Sequence, residues 1–254
     1  MTSLRGVVLA GGLGTRLRPM TEIVNKHALP VYDRPMVFYP LDALASAGTR
    51  EVCIVIGGRD PDEIRELVNT NNSWDFDRID YALQEGEGGI ADALRCSRPY
   101  VDGHDICVIL GDNVIEDSLE HVARKFGAGE DEAMVLLSEV HDPERFGVPR
   151  FDESGSIREI VEKPVDPPSS YAVVGIYFYR ARVFDEIDSL APSVRGELEI
   201  TDLNNLFATR GSLGYATLDG FWADAGTPEG LFRASELVRA SRAAGVPDRE
   251  PQLG

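Results

Sequence analysis

The chain has 254 residues, 43% of them hydrophobic and 27% charged, with a net charge of −18 at pH 7. That length supplies a sizeable core for one large α/β domain with room for an embedded lobe. So acidic a surface argues against nucleic acid as a partner, no apolar run is long enough to span a membrane, and no apolar leader precedes the first strand, so a cytoplasmic protein is expected.

The first predicted strand is 5–10, Arg5-Gly6-Val7-Val8-Leu9-Ala10. Gly11, Gly12 and Gly14 follow it, then Thr15 and Arg16. Glycines let the backbone turn sharply and bare its N–H groups. A strand, a glycine-rich turn and a fixed cation together describe a cradle for a phosphate. Neither common phosphate loop is present. Leu17 stands where the dinucleotide fingerprint needs its third glycine, and no lysine follows the glycines as a P-loop requires. Charge supports the cradle: in residues 1–35, Arg5, Arg16, Arg18, Lys26 and Arg34 stand against only Glu22 and Asp33. Positive charge is therefore concentrated around the loop of an otherwise anionic protein.

Apolar residues at Val37, Leu41, Leu44 and Ala45 predict a helix over 37–47, ended by Gly48. Residues 51–56 read as a second buried strand, 61–68 as a helix with Pro at its start, and 79–83 as a strand ending at Gln84. A short helix over 90–96 and a third apolar strand over 106–110 follow, the latter running into Gly111-Asp112-Asn113. Strands this apolar are covered on both faces, so a mostly parallel sheet is expected, and its alternation with helices gives an α/β fold. Ligands in such sheets sit beyond the carboxyl ends of the strands. The glycine loop, the Gln84 segment and Gly111-Asp112-Asn113 all follow strand ends and should meet at one edge. The cysteines Cys53, Cys96 and Cys107 match no metal spacing, and Cys53 and Cys107 sit inside apolar runs as core thiols.

Further strands are expected over 133–140, 148–151, 157–162, 172–179 and 213–218, with a hairpin turn at Asp152-Glu153-Ser154-Gly155. Helices are expected over 183–190, 197–207 and 228–240, and a turn over 221–227. The tail 245–254 is rich in Pro, Gly and charge, and disorder is expected there.

Two blocks carry a family resemblance. Leu9-Ala10-Gly11-Gly12-Leu13-Gly14-Thr15-Arg16-Leu17, with Pro19 and Thr21, is followed by Lys26-His27-Ala28-Leu29-Pro30-Val31-Tyr32-Asp33-Arg34-Pro35-Met36. Together they resemble the signature of the sugar-phosphate nucleotidylyltransferases, and the likeness runs from about Arg5 to Val238. It implies a Rossmann-like, mostly parallel sheet flanked by helices, with an inserted sugar-binding lobe, in a single domain over 1–254. A nucleotide-binding half (about 1–132) would precede a sugar-binding and metal half (about 133–227) and a C-terminal helix (228–244).

The resemblance also implies the chemistry: transfer from dTTP to glucose-1-phosphate, with UTP as the alternative triphosphate and Mg²⁺ as cofactor. Arg16 and Lys26 would serve the triphosphate, and Lys163 and Arg195 the sugar phosphate. Asp112 and Asp224 would hold the metal. Gln84 and Gly89 would read the base, and Asn113 would lie near the deoxyribose. Gly147, Glu162 and a turn at Val174-Gly175 would line the sugar. Three positions depart from the family pattern: His27 and Asp92 stand where Gln is expected, and Phe146 where Tyr is expected. An alternative of another class is a non-catalytic sugar-nucleotide sensor, which would have no need of Arg16, Lys26, Asp112 and Asp224. After the Asp224-Ala225-Gly226-Thr227 block only one amphipathic helix is expected, so the assembly is read as a homodimer or monomer without a separate feedback site.

Overall fold

The computed structural model describes residues 4–58, 60–71 and 73–245. The tail expected to be disordered lies, from residue 246 onward, outside the described residues. Strand β1 (Arg5–Ala10) leads through the glycine loop and three 3₁₀ turns to a small hairpin, β2 (Pro30–Val31) and β3 (Arg34–Pro35). Helix α1 (Phe38–Ser46), β4 (Glu51–Ile56), α2 (Pro61–Thr70), β5 (Arg78–Leu83), α3 (Ile90–Cys96), α4 (Arg98–Val101) and β6 (Ile106–Leu110) follow. After them come β7 (Asn113–Ile115), α5 (Glu120–Ala128), β8 (Ala133–Glu139), β9 (Gly147–Phe151) and β10 (Ile157–Glu162). Strand β11 (Tyr171–Tyr179), α6 (Val183–Ser189), α7 (Ile200–Arg210), β12 (Leu213–Thr217), β13 (Trp222–Asp224) and α8 (Pro228–Ala243) complete the described chain.

One nine-stranded sheet organises these elements, in the order β10-β9-β11-β6-β1-β4-β5, with β8 on β11 and β12 on β8. The apolar strands β6, β1, β4 and β5 are parallel neighbours. Their side chains alternate between two cores: Val7 and Leu9 face one, Val8 and Ala10 the other. That is the period of two expected for a strand covered on both faces.

The site originates in the way β11 changes neighbours. Its second half, Ile176 to Tyr179, pairs antiparallel with β6, whereas Val173 pairs with Gly147 of β9. The sheet therefore divides at Gly175, between the end of β6 and the start of β9. Asn113 Oδ1 accepts the Gly175 N–H at 2.9 Å, where a strand partner would otherwise do so. The hairpin β9–β10 and helix α7 stand on one side of this gap, and the strand ends of β1, β5 and β6 on the other.

Besides the short β2, β3, α4 and β7, which the sequence pattern does not predict, three elements differ from expectation. The predicted turn over 221–227 contains strand β13, which pairs antiparallel with β7 and so lies in a ladder before the chain turns. Helix α5 was not legible in the periodicity, because only Val122 and Phe126 are buried among its charged residues. The helix expected from 197 begins at Ile200, since the Gly196 N–H closes a turn on the Ser193 carbonyl and the Leu198 N–H is held by the Gly88 carbonyl. Helix α8 buries Ala234 and Val238, with Leu231 and Leu237 packed beside them, against Leu17, Val114 and Ala223. This third cluster fixes the β7–β13 ladder, and with it Asp224, over the glycine loop.

Candidate active site

Beyond the carboxyl ends of β1, β5 and β6 lies a cleft of about 410 Å³. Its floor begins with the loop after β1. Gly14 adopts φ +66, the left-handed region, and a Cβ there would lie 2.9 Å from side-chain atoms of Lys26 and Thr21. The same Thr21 donates its hydroxyl to the Gly14 carbonyl at 2.7 Å. Glycine is thus required where the loop folds back on the Lys26 segment.

Lys26 Nζ lies 2.6 Å from Asp112 Oδ2, and only 10% and 12% of the two side chains are exposed. Asp224 reaches the same point from β13. Seen from Gly226, Asp112 Oδ2 and Asp224 Oδ1 both stand 2.8 Å from the place a Cβ would occupy, and Arg16 Nη2 stands 3.0 Å from it. Any larger residue at 226 would enter the space where two carboxylates and a guanidinium converge. Asp224 Oδ1 also accepts the Gly226 N–H at 2.8 Å.

The electrostatics of the pair are opposed. Burial pushes the Asp112 carboxyl up, but the Lys26 ammonium, its hydrogen bond and Asn113 together hold it well below the usual carboxylate range. Burial pushes Asp224 up, and the neighbouring Asp112 charge adds to the rise. Lys26 and Arg16 both favour the ionised form of Asp224, yet burial and the Asp112 charge outweigh them. A buried and a half-buried carboxylate facing one gap are hard oxygen donors, and a divalent cation between them would relieve the repulsion that raises Asp224. Among the described residues no group of three or more His, Cys, Asp or Glu side chains is placed to hold a metal ion by itself. Substrate oxygens and water would complete such a cation's shell, as is usual for Mg²⁺.

His27 sits behind this centre. Burial, and then the adjacent Lys26 charge, lower its pKa to about 3. Its backbone N–H and ring Nδ1 both contact Asn25 Oδ1, at 3.0 and 3.3 Å. The imidazole therefore stays neutral across the working pH range and contributes no titration there. The expected result is a pH–rate profile without a histidine limb, and a His27→Gln variant within about threefold of the parent, since an amide can take the same bonds. Loss of turnover in that variant, with the fold intact by circular dichroism, would give His27 a chemical role instead.

One wall of the cleft is made by Gln84, whose backbone N–H is anchored to the Ile56 carbonyl, and by Gly89 at the start of α3. Asn113 has its side chain fully engaged: Oδ1 accepts from Gly175 and from Trp222 Nε1, and Nδ2 donates to Asp112. It braces the division of the sheet as well as lining the cleft. On the far side, Glu162 accepts the Thr201 hydroxyl at 2.8 Å and lies 3.5 Å from Lys163 Nζ. Lys163 has φ +45, so its backbone turns sharply at the end of β10. Arg195 borders the same cleft, with its Nε and Nη2 engaged by Glu199.

Leu9, Gly11, Gly12, Arg16, Lys26, Gln84, Gly89, Asp112, Asn113, Gly147, Glu162, Lys163, Gly175, Arg195 and Asp224 all border this one cleft. Gly14 and Thr15 lie on the loop just behind its surface. Val174 is a correction. It is not in a turn but within β11, fully buried, and its side chain belongs to the core on the opposite face of the sheet. Val173, Gly175 and Tyr177 face the cleft instead, as strand alternation demands. Glu197, Glu199, Thr201 and Trp222 also border it and were not anticipated. The alternating acids of Glu197-Leu198-Glu199 and the position of Trp222 two residues before Asp224 were the available signals.

The chain belongs to the nucleotidyl transferase family, whose model matches residues 5–241. It is 41% identical over 246 residues to a glucose-1-phosphate thymidylyltransferase of Xanthomonas campestris pv. campestris, covering 94% of this chain and 81% of that one. It is 40% identical to the enzyme of the same name from Neisseria gonorrhoeae, covering 93% and 83%. A crystal structure of a Bacillus anthracis protein described as a candidate glucose-1-phosphate thymidylyltransferase, in complex with sucrose, superposes with a TM-score of 0.88. It is 41% identical, and the match covers 93% of this chain and 96% of that one. A UDP-glucose pyrophosphorylase complexed with UDP-glucose superposes with a TM-score of 0.83 at 25% identity, covering 94% and 100%.

Proposed function

We propose that this protein joins dTTP and glucose-1-phosphate to give dTDP-glucose and pyrophosphate. The observation that carries the reading is the convergence of Arg16, Lys26, Asp112 and Asp224 at one end of a cleft whose other end holds Glu162 and Lys163. The relatives named above give the substrate pair. A sensor that only bound the product would have no need of the buried carboxylate pair.

In the reaction, an oxygen of the sugar phosphate attacks the α-phosphorus of the triphosphate in line, and pyrophosphate leaves on the opposite side. A phosphate monoester has its second pKa at about 6, so the nucleophile is already ionised and needs no general base. The obstacle is repulsion between two polyanions, which fixed cations and N–H groups overcome. The loop at Gly11 and Gly12 offers N–H groups to the triphosphate, and Arg16 faces it from the adjoining 3₁₀ turn. Lys26 neutralises the α-phosphate side while holding Asp112 ionised. Lys163 draws the sugar phosphate in, and Glu162 accepts bonds from sugar hydroxyls. Asp112 and Asp224 would hold Mg²⁺, which when bound supplies further neutralisation of the phosphates. Residues up to about 132 thus serve the nucleotide, and 133–227 the sugar phosphate and the second aspartate.

The resemblance to UDP-glucose pyrophosphorylase keeps UTP as a second triphosphate. Pyrophosphate release, measured over dTTP, UTP, dCTP and dATP against several sugar-1-phosphates, tests the reading. The expected result is the highest kcat/KM for dTTP with glucose-1-phosphate. Release with no triphosphate, or only with a purine triphosphate, would overturn it.

A further inference from the structure

Gln84 and Asp92 meet at the base end of the cleft in a way that leaves the amide no choice of orientation. Gln84 Nε2 donates to the Gly89 carbonyl at 3.1 Å and to Asp92 Oδ2 at 3.2 Å. A backbone carbonyl and a carboxylate can only accept, so the nitrogen must point toward both, and its two hydrogens are used. Asp92 is held in turn by Arg95, which donates Nη2 to Asp92 Oδ1 from one turn further along α3. That ion pair leaves Oδ2 for Gln84, with only 15% of the Asp92 side chain exposed. Gln84 Oε1 has no hydrogen-bond partner among the described residues. It lies against the glycine loop on the lining of the cleft, 2.5 Å from the position a Cβ of Gly11 would take.

We propose that Asp92, through this locked amide, makes the site select pyrimidine nucleotides that carry an N–H at N3, thymine or uracil, over cytosine. The proposal rests on the function given above and on Gln84 meeting the base. With Nε2 fully engaged, Gln84 presents an acceptor only. Thymine and uracil bring a donor to it. Cytosine brings a lone pair at N3, and two acceptors would face each other in a half-dry site. The residue that the family pattern places at 92, a glutamine, could donate or accept and would not enforce one orientation. Asp92 is thus a positioning residue: it acts through Gln84 and does not itself touch the base.

The test is Asp92→Asn, read as the ratio of kcat/KM for dTTP to that for dCTP. Arg95 would keep the asparagine carbonyl, turning its Nδ2 toward Gln84. Two donors then meet, and the Gln84 amide is pushed to rotate its nitrogen toward the base. The ratio is expected to fall by at least about tenfold, the scale of one misplaced hydrogen bond in a polar recognition site. In the double variant Asp92→Asn with Arg95→Met the asparagine is free to turn its carbonyl back, and part of the ratio should return. A merely structural role for Asp92 would lower both kcat/KM values together and leave the ratio unmoved. An unchanged ratio in Asp92→Asn, or no recovery in the double variant, overturns the proposal. A parent protein that uses dCTP as well as dTTP and UTP would overturn the reading of Gln84 itself, and is distinguished by being seen before any substitution.

Discussion

Asp224→Asn is expected to lower kcat by about two decades or more, on the order of 3 kcal/mol of transition-state stabilisation, and at the same time to raise the melting temperature at neutral pH. The two effects share one cause. Asp224 is half-buried beside the buried Asp112, and its carboxyl is pushed above the ordinary value, first by desolvation and then by that neighbouring charge. The folded state therefore holds the Asp224 proton at pH values where the unfolded chain has already released it. Stability falls as pH rises from the ordinary aspartate value through the raised folded one, and at neutral pH the charge is carried at a loss. An asparagine keeps the acceptor that takes the Gly226 N–H and removes the charge. A stable protein without turnover is the expected pattern for a residue kept for function at the expense of the fold. Mg²⁺ should raise the melting temperature of the parent at neutral pH and leave Asp224→Asn unmoved. Near-parental turnover of Asp224→Asn at saturating Mg²⁺ would remove the metal assignment. Asp112→Asn is expected to lose as much activity without the gain in stability. Its carboxyl is held below the usual range by Lys26, so its charge stabilises the fold above the ordinary aspartate value and is lost as pH falls.

Much of this arrangement was legible in the chain. The apolar runs of β1, β4 and β6 announced a parallel sheet, because an uninterrupted run of Val, Ile and Cys cannot face water on either side. The rule that ligands sit at the carboxyl ends of strands then brought Gly11, Gln84 and Asp112 together before any coordinates. What escaped had physical reasons. Strand β13 is three residues long, and its pairing depends on β7, about a hundred residues earlier, so local pattern carries no trace of it. Helix α5 has a narrow buried stripe, Val122 and Phe126, at a spacing of four within charged sequence. At Val174-Gly175 the turn that the resemblance implies is a strand, in which adjacent residues face opposite sides. The contacts that give the site its electrostatics, Lys26 with Asp112 and Gln84 with Asp92, involve side chains whose meeting depends on the assembled fold.

Lys26→Met and Lys163→Met separate the two ends of the cleft. Lys26 is inside the centre: its Nζ is 2.6 Å from Asp112, and little of either side chain reaches water. Removing one partner of a buried pair leaves the other charge uncompensated, a loss of about 3–5 kcal/mol in comparable cases. Here Asp112 and Asp224 would face each other with Arg16 as the nearest remaining cation. With one cation left for two close carboxylates, one of them should take up a proton and leave a poorer place for phosphate and metal. The expected result for Lys26→Met is a fall of about two decades or more in kcat/KM for dTTP, with a lowered melting temperature. Lys163 stands instead at the rim of the cleft, 3.5 Å from Glu162 and with more than half of its side chain exposed. Its loss removes attraction for the sugar phosphate and leaves the fold intact. Lys163→Met is therefore expected to raise KM for glucose-1-phosphate about tenfold or more while moving KM for dTTP little, with an unchanged melting temperature. Steady-state kinetics with each substrate varied in turn distinguishes the two. Equal damage toward both substrates in both variants would mean that the lysines act on one shared phosphate position, and the division of the cleft into a triphosphate end and a sugar-phosphate end would have to be abandoned.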